Sequence, residues 1–220
     1  MTERKRSRKY HFTVEGETEQ WYFQWLQEAI NNEPSAVYKV KIICNKSDPV
    51  KYVKSINVIQ KTEITHVFDY EGNEPQYEER FKKTLSKMKA AATLGRQVKY
   101  RLGYSNFSFE LWMVLHKMDC NKPYNHRNQY IQAINHAYGK SFENLGQYKH
   151  ERNFRYVLAS LSLEDVKHAI RRAIAVTEHK RERGDILQQY KGYTFYCNNP
   201  SLSIWESIQR ILSDCGLYAE

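Results

Sequence analysis

The sequence predicts an α/β fold: a mostly parallel four-stranded sheet with flanking helices, followed by a helical C-terminal extension. Three observations carry this. Short apolar runs alternate with segments of helical period up to about Tyr104, in the order βαβαβαβ, and that alternation predicts parallel strands joined by helices. Two of the apolar runs end in acidic turns, where open α/β sheets place their sites. Beyond Tyr104 helical periodicity dominates. The expected division is an α/β core over residues 1–118 and a helical extension over 119–220, packed on the same core.

The first strand is read at residues 10–14 and a helix at 18–30, where Tyr22, Trp25 or Leu26, and Ala29 or Ile30 recur at three-to-four spacing. Thr18 is the expected N-cap, and Asn31-Asn32-Glu33-Pro34 the stop. A second strand covers 37–44. Asp48-Pro49 opens a short helix, since Pro suits the first helical position. A third strand covers 64–68 and a turn 69–74. The long helix after it shows Tyr77, Phe81, Leu85, Met88 and Ala92 on one face and ends at Gly95. A fourth strand covers 98–102. Ser105-Asn106 then caps a helix over 107–117, and another follows over 127–138. Ser162-Leu163-Glu164-Asp165 starts a long helix with a capping-box pattern. The last helix is expected to begin at Asn198-Asn199-Pro200-Ser201, with Gly216 at C′. Residues 141–155 show no clear period.

With 41% apolar residues and little Gly or Pro, a folded chain is expected. No apolar run approaches the roughly 18 residues of a membrane span, and no apolar signal region follows the basic N-terminus, so a cytoplasmic protein with no membrane contact is expected. Cys44, Cys120, Cys197 and Cys215 match no zinc spacing and read as reduced structural thiols. The net charge of +9 is unevenly placed. From Arg80 to Phe109 there are eight Lys or Arg and no acid, and five more basic residues precede Tyr10. Lys82, Lys83, Lys87, Lys89, Arg96, Lys99 and Arg101, with Arg4–Lys9, are therefore the expected nucleic-acid contacts. A solvated helix surface is the competing reading.

The chemistry is expected at the strand ends. Glu15 directly continues an apolar strand, and Glu19 follows the Gly16 turn at the start of a helix, where Glu17 also sits. First-turn acids interacting with the helix dipole explain Glu17 and Glu19, but not Glu15. Asp69 and Glu71, two apart at an extended strand end, point the same way and can offer oxygens to one cation. A polar turn is the alternative. Glu110 lies within the apolar stretch 107–115, so its carboxylate needs a partner, a proton or a metal. Hard cations such as Mg²⁺ take oxygen ligands and are usually held by one or two carboxylates plus substrate phosphates. On a basic chain, that pairing points to metal-assisted chemistry on a phosphodiester.

Glu15-Gly16-x-Thr18-Glu19-x-x-Tyr22-Phe23, then Phe68-Asp69-x-Glu71, then Ser105-Asn106-x-x-Phe109-Glu110-Leu111-Trp112 with His116, and late Asn199-Pro200-Ser201, resemble the RloB-like proteins across nearly the whole chain. The same pattern resembles a minimal TOPRIM fold, as in topoisomerase-primase and OLD-family nucleases. The resemblance implies a Mg²⁺- or Mn²⁺-dependent nuclease in bacterial antiphage or abortive-infection defence, working with an ABC-type ATPase encoded nearby. It implies Glu15 as general acid/base or metal ligand, Glu19 as a second acid, and Asp69 as the first Asp of Asp-x-Asp. Glu15, Asp69 and Glu71 are the expected metal ligands, and Glu110 joins them among the catalytic residues. Glu71 departs from the second Asp of that pattern, and Phe107 stands where relatives often have Pro.

RNA, including tRNA, and DNA are both candidate substrates. The 17 tyrosines include candidates to stack on unpaired bases, although packing accounts for most of them. The alternative function is a non-catalytic sensor that docks nucleic acid or an ATPase through the same fold. A TOPRIM phosphoryl-transfer enzyme other than a nuclease is a third reading. No topoisomerase tyrosine domain, primase zinc motif or Walker A loop is visible in the sequence.

Overall fold

The computed structural model describes residues 5–57, 60–72, 74–94 and 97–219. The sheet contains β1 (Ser7–Val14), β2 (Lys39–Lys46), β3 (Thr62–Asp69) and β4 (Val98–Asn106), all parallel. Between them run α1 (Glu17–Asn32), α2 (Pro49–Ser55) and α3 (Pro75–Ala92). After β4 come α4 (Glu110–Leu115), α5 (Tyr130–Tyr138), α6 (Leu145–Lys149), α7 (Glu151–Leu158) and α8 (Leu163–Glu182). A hairpin of β5 (Leu187–Tyr190) and β6 (Tyr193–Tyr196), the short β7 (Ser201–Leu202) and α9 (Ile204–Asp214) complete the chain. The strand order is β2-β1-β3-β4-β7, with β7 antiparallel to the end of β4. This mixed α/β arrangement is consistent with the TOPRIM-like expectation.

The sheet has five strands rather than four. Ser201-Leu202, expected to open the last helix, instead pairs with Ser105 and Asn106. The helix starts later, at Ile204, because Asn199 is committed elsewhere: its side-chain amide donates to the Asn106 carbonyl (2.5 Å) and the Tyr130 hydroxyl (2.7 Å). Ser105-Asn106 likewise do not cap a helix. They are the last residues of β4, and α4 begins only at Glu110. The N-cap of α1 is Gly16, not Thr18. Asp48 does cap α2, accepting from the amides of Val50 and Lys51, and Ser162 and Asp165 form the capping box of α8. Gly216 has φ +70°, the left-handed backbone that favours glycine just past a helix end. Residues 141–155 carry two helices too short to show a period, α6 and α7. Arg4, Asn73, Gly95 and Arg96 lie outside the described residues.

Alternation along the strands feeds two cores. Phe12, Val14 and Val67 face the larger core, built with α1, α4 and the later helices. Ile64, Phe68 and Tyr104 face the smaller one, built with α2 and α3. The larger core draws on both halves of the chain, from Tyr10 to Cys215. Among the described residues no helix is long and apolar enough to cross a membrane, and all four cysteines are free.

Two histidines are sealed in this fold. His66 bonds Thr13 Oγ1 at 2.8 Å, and His116 lies 3.1 Å from the Tyr22 hydroxyl and 2.8 Å from the Trp112 carbonyl. Burial pushes both pKa values down to about 4, from the usual 6.5. Between those values the unfolded chain takes up a proton that the folded chain refuses, so stability is full above pH 6.5 and falls as pH drops toward 4. Replacing His116 by Gln, which retains hydrogen-bonding groups, is expected to remove on the order of 3 kcal/mol of that acid loss. Urea unfolding at pH 7, 5.5 and 4 measures it, and an unchanged pH dependence would contradict a neutral buried His116.

Candidate active site

The parallel pairing brings the acidic turns together. Val14 is in register with Val67, so Glu15 and Asp69 leave neighbouring strands at the same end of the sheet. Asp69 is in turn paired with Ser105 on β4, and the Tyr70 amide donates to the Ser105 carbonyl at 2.9 Å. This sets the Ser105–Glu110 segment beside the Asp69 turn. Glu19 reaches the same place from the first turn of α1. Its carboxylate folds back over Gly16, where a Cβ would stand 2.3 Å from Oε2, so any larger residue there would displace the Glu19 carboxylate from this position. The Thr18 hydroxyl donates to that Oε2 at 3.0 Å.

Glu19 and Glu110 are almost wholly withdrawn from water, at 4% and 0% exposure. The cation that answers them is Lys149, from α6, whose Nζ lies 3.1 Å from Glu110 Oε1. Neither Glu110 oxygen has a well-directed hydrogen bond, and the nearby hydroxyls of Ser105 and Ser108 are also buried without partners. The electrostatics follow from this packing. Desolvation, then Glu19 and Glu110, raises Asp69 well above the usual carboxylate range, against the pull of Lys149. Desolvation also raises Glu19, opposed by its own amide, Thr18 and Lys149. Burial disfavours the Lys149 charge, but Glu110, Asp69 and Glu19 outweigh it and raise its pKa.

Glu15 is exposed at the mouth of this cluster. Partial desolvation of its carboxyl raises its pKa, with Glu71 reinforcing and Arg80 and Lys87 opposing. Glu71 is held by two guanidinium groups, Arg80 at 2.8 Å and Arg127 at 3.5 Å. A cavity of about 340 Å³ opens beside Glu15, lined by Lys46, Arg80, Lys87 and Asp48, with Lys87 paired to Asp48 at 2.7 Å.

The expected basic residues are divided between α3 and β4. Lys87 lines the Glu15 cavity. Lys82 and Lys83 line a separate cavity with Tyr190, where Lys82 pairs with Glu78 at 2.5 Å. Lys89 is exposed on α3. Lys99 and Arg101 lie in the first half of β4, and Arg101 is tied to Glu63 at 2.6 Å. Lys99 is six residues before Ser105, roughly 20 Å along the strand from the carboxylates. Lys9 lies toward that same far end, on β1.

The resemblance implies a divalent cation, and the donor chemistry suits a hard one: every candidate ligand is a carboxylate, and both Glu110 oxygens lack hydrogen bonds. Among the described residues, no three His, Cys, Asp or Glu form a group that could hold a metal by themselves. An ion here would therefore be held by only one or two of the carboxylates and need oxygens from elsewhere to complete its shell, a mode that Mg²⁺ tolerates.

Lys149 is the site residue that sequence reasoning missed. Its helix is only five residues long, and the cap Asn144, which accepts from the Gln147 amide, is the one local signal of it. His116 and Asn199, both in the motifs, serve as structural ties: His116 joins α4 to α1, and Asn199 joins the end of β4 to Tyr130.

A family model described as RloB-like protein matches residues 10–211. The chain belongs to that family. Neither a curated protein nor a solved structure gives a significant match.

Replacing Lys149 by Met would leave Glu110 buried with no opposing charge. Breaking one partner of a buried pair costs about 3–5 kcal/mol, and partial exposure of Lys149 places the expected loss near the lower figure. The double variant Lys149→Met, Glu110→Gln should recover most of it. Chemical denaturation at pH 7.5 measures both, and equal losses in the single and double variants would remove the ion pair from the account.

Proposed function

We propose that this RloB-like protein is a metal-dependent nuclease of the TOPRIM type, cutting RNA or DNA. The observation that carries the reading is the convergence of Glu19, Asp69 and Glu110 from three separate elements at the carboxyl end of the sheet. They are desolvated and answered by the cation of Lys149. A structural role explains this poorly, because clustered buried carboxylates destabilise a fold. The chain's motifs and family also support an antiphage or abortive-infection role in the cytoplasm, with an ATPase supplied by another chain.

In this reading Asp69, with Glu19 or Glu110, would hold a Mg²⁺ or Mn²⁺ ion. The ion would lower the pKa of bound water and offset charge on the attacked phosphate. Arg80, Lys46 and Lys87 place the phosphodiester in the cavity beside Glu15. Glu15, exposed at the mouth with a raised pKa, exchanges a proton with the attacking water or the leaving oxygen. Glu71 keeps Arg80 and Arg127 in place through its two ion pairs. Glu71→Gln is accordingly expected to cost less activity than Glu15→Gln.

The test is incubation with total RNA and plasmid DNA in Mn²⁺ or EDTA. Wild type should cut only with Mn²⁺, and Glu15→Gln should lose about 100-fold or more. Mn²⁺ should also raise the melting temperature of wild type, and raise that of Asp69→Asn less, because a ligand binding only the folded state stabilises it. Full activity of Glu15→Gln, with no thermal shift by Mn²⁺, would favour a docking or sensing subunit instead.

A further inference from the structure

A second cavity, of about 460 Å³, is lined by Glu71, whose partner Arg80 lines the Glu15 cavity. Arg80 lines the first cavity, Arg127 and Glu71 line the second, and Glu71 is paired with both guanidinium groups, so this carboxylate links the two linings. The second cavity has aromatic sides, Tyr77, Phe107 and Tyr124, and a polar rim, Asn125, His126 and Arg127, with Glu74 beside Glu71 as its acidic part. We propose that this cavity binds an unstacked nucleobase of a single-stranded nucleic acid whose phosphate lies in the cavity beside Glu15. The proposal deepens the nuclease reading and rests on it for the position of the phosphate.

Three features support this occupant. The first is chemical. Flat aromatic surfaces beside amide, imidazole and guanidinium groups are what a base needs, with a π-face to stack and edges to hydrogen-bond. The second is rigidity. The Tyr124 amide donates to Asn199 Oδ1 at 2.8 Å, and the Tyr124 ring sits edge-on to Tyr130 with centroids 4.8 Å apart. His126 and Gln129 form a capping box, in which His126 Nδ1 accepts from the Asn128 amide. That bond commits Nδ1 and leaves Nε2 as the ring nitrogen for a ligand. The third is position. The site adjoins the candidate chemistry, so the base it holds would be a neighbour of the cleaved linkage. A duplex keeps its bases stacked and cannot fill such a cavity without unpairing, so the ligand is a single strand, a loop or a bulge.

The experiment measures binding of labelled octamers by fluorescence anisotropy, with EDTA present to prevent cleavage. RNA and DNA octamers of one sequence are compared with an RNA octamer carrying a central abasic nucleotide and with a duplex. One stacked base contributes about 1–3 kcal/mol, or roughly 5- to 150-fold in affinity. Wild type should therefore bind the intact octamers at least fivefold more tightly than the abasic one. Tyr124→Leu should erase that difference without altering duplex binding. Because Tyr124 also packs on Tyr130, Asn125→Ala provides a second variant. Asn125 is exposed, so the fold should persist, and the change should fall on the preference among A, C, G and U octamers. A relative gain for RNA over DNA would identify RNA as the natural source of the base. Equal binding of intact and abasic octamers by wild type would overturn the proposal, as would failure to bind any single strand at low salt. Cleavage in Mn²⁺ is scored separately. Loss of the base effect with cleavage retained rejects this pocket alone, and absence of cleavage with the base effect retained rejects the nuclease reading alone.

Discussion

The ion pair between Lys149 and Glu110 is the constraint to which the site's arrangement answers. Glu110 is fully buried at the start of α4, in the middle of the larger core, and a lone carboxylate there would cost several kcal/mol. Lys149 belongs to a helix some forty residues later in the chain. The helical second half therefore completes the charge balance of the first half's strand ends. That is a physical reason for the larger core to run continuously through both. It also fixes the direction of α4: the pair holds its first turn against the mouth, while His116 and Trp112 at its other end lock onto Tyr22 of α1.

The end of β4 is the second anchor. Asn199 donates to the Asn106 carbonyl, Asn106 donates to the Cys197 carbonyl, and Ser201 pairs beside Asn106 in the short antiparallel strand. These bonds satisfy buried backbone groups that would otherwise be orphaned where β4 leaves the sheet. They also fix the position of Ser105 and Ser108, two hydroxyls buried without partners of their own. Unpaired buried groups are expensive and uncommon, and each calls for a cause such as a catalytic role, an ordered water or an ion.

The parallel core was readable because each of its strands is a short apolar run and each connecting helix shows its period over three or more turns, as α3 does through Phe81, Leu85 and Met88. The placement of Glu15 and Asp69 followed from that reading alone, since neighbouring parallel strands must end on the same side. What escaped was built from pieces too short to carry a period. Lys149 sits in five residues of helix, and Ser201-Leu202 is a strand of two residues set by its partner β4 rather than by its own propensity. The basic residues are spread for a different reason. A run of eight cations with no acid is contiguous in sequence, but α3 and β4 carry it along two elements. Lys87 thus reaches the mouth while Lys99 is left at the opposite end.

The cluster also explains why the chain keeps a costly arrangement. Glu19, Asp69 and Glu110 could carry three negative charges against one positive charge from Lys149. The raised pKa values of Glu19 and Asp69 mean that protons relieve the excess when nothing else does. A bound cation would do the same work and displace those protons, so metal affinity and proton release are linked at this site. Substrate phosphates bring further negative charge, which the carboxylates alone would repel. Arg80, Lys46 and Lys87 around the Glu15 cavity are placed to offset it. Under the proposed function, a cation and a phosphodiester would take over the balancing that protons supply in their absence. That is the condition in which buried charge can be spent on chemistry rather than on stability.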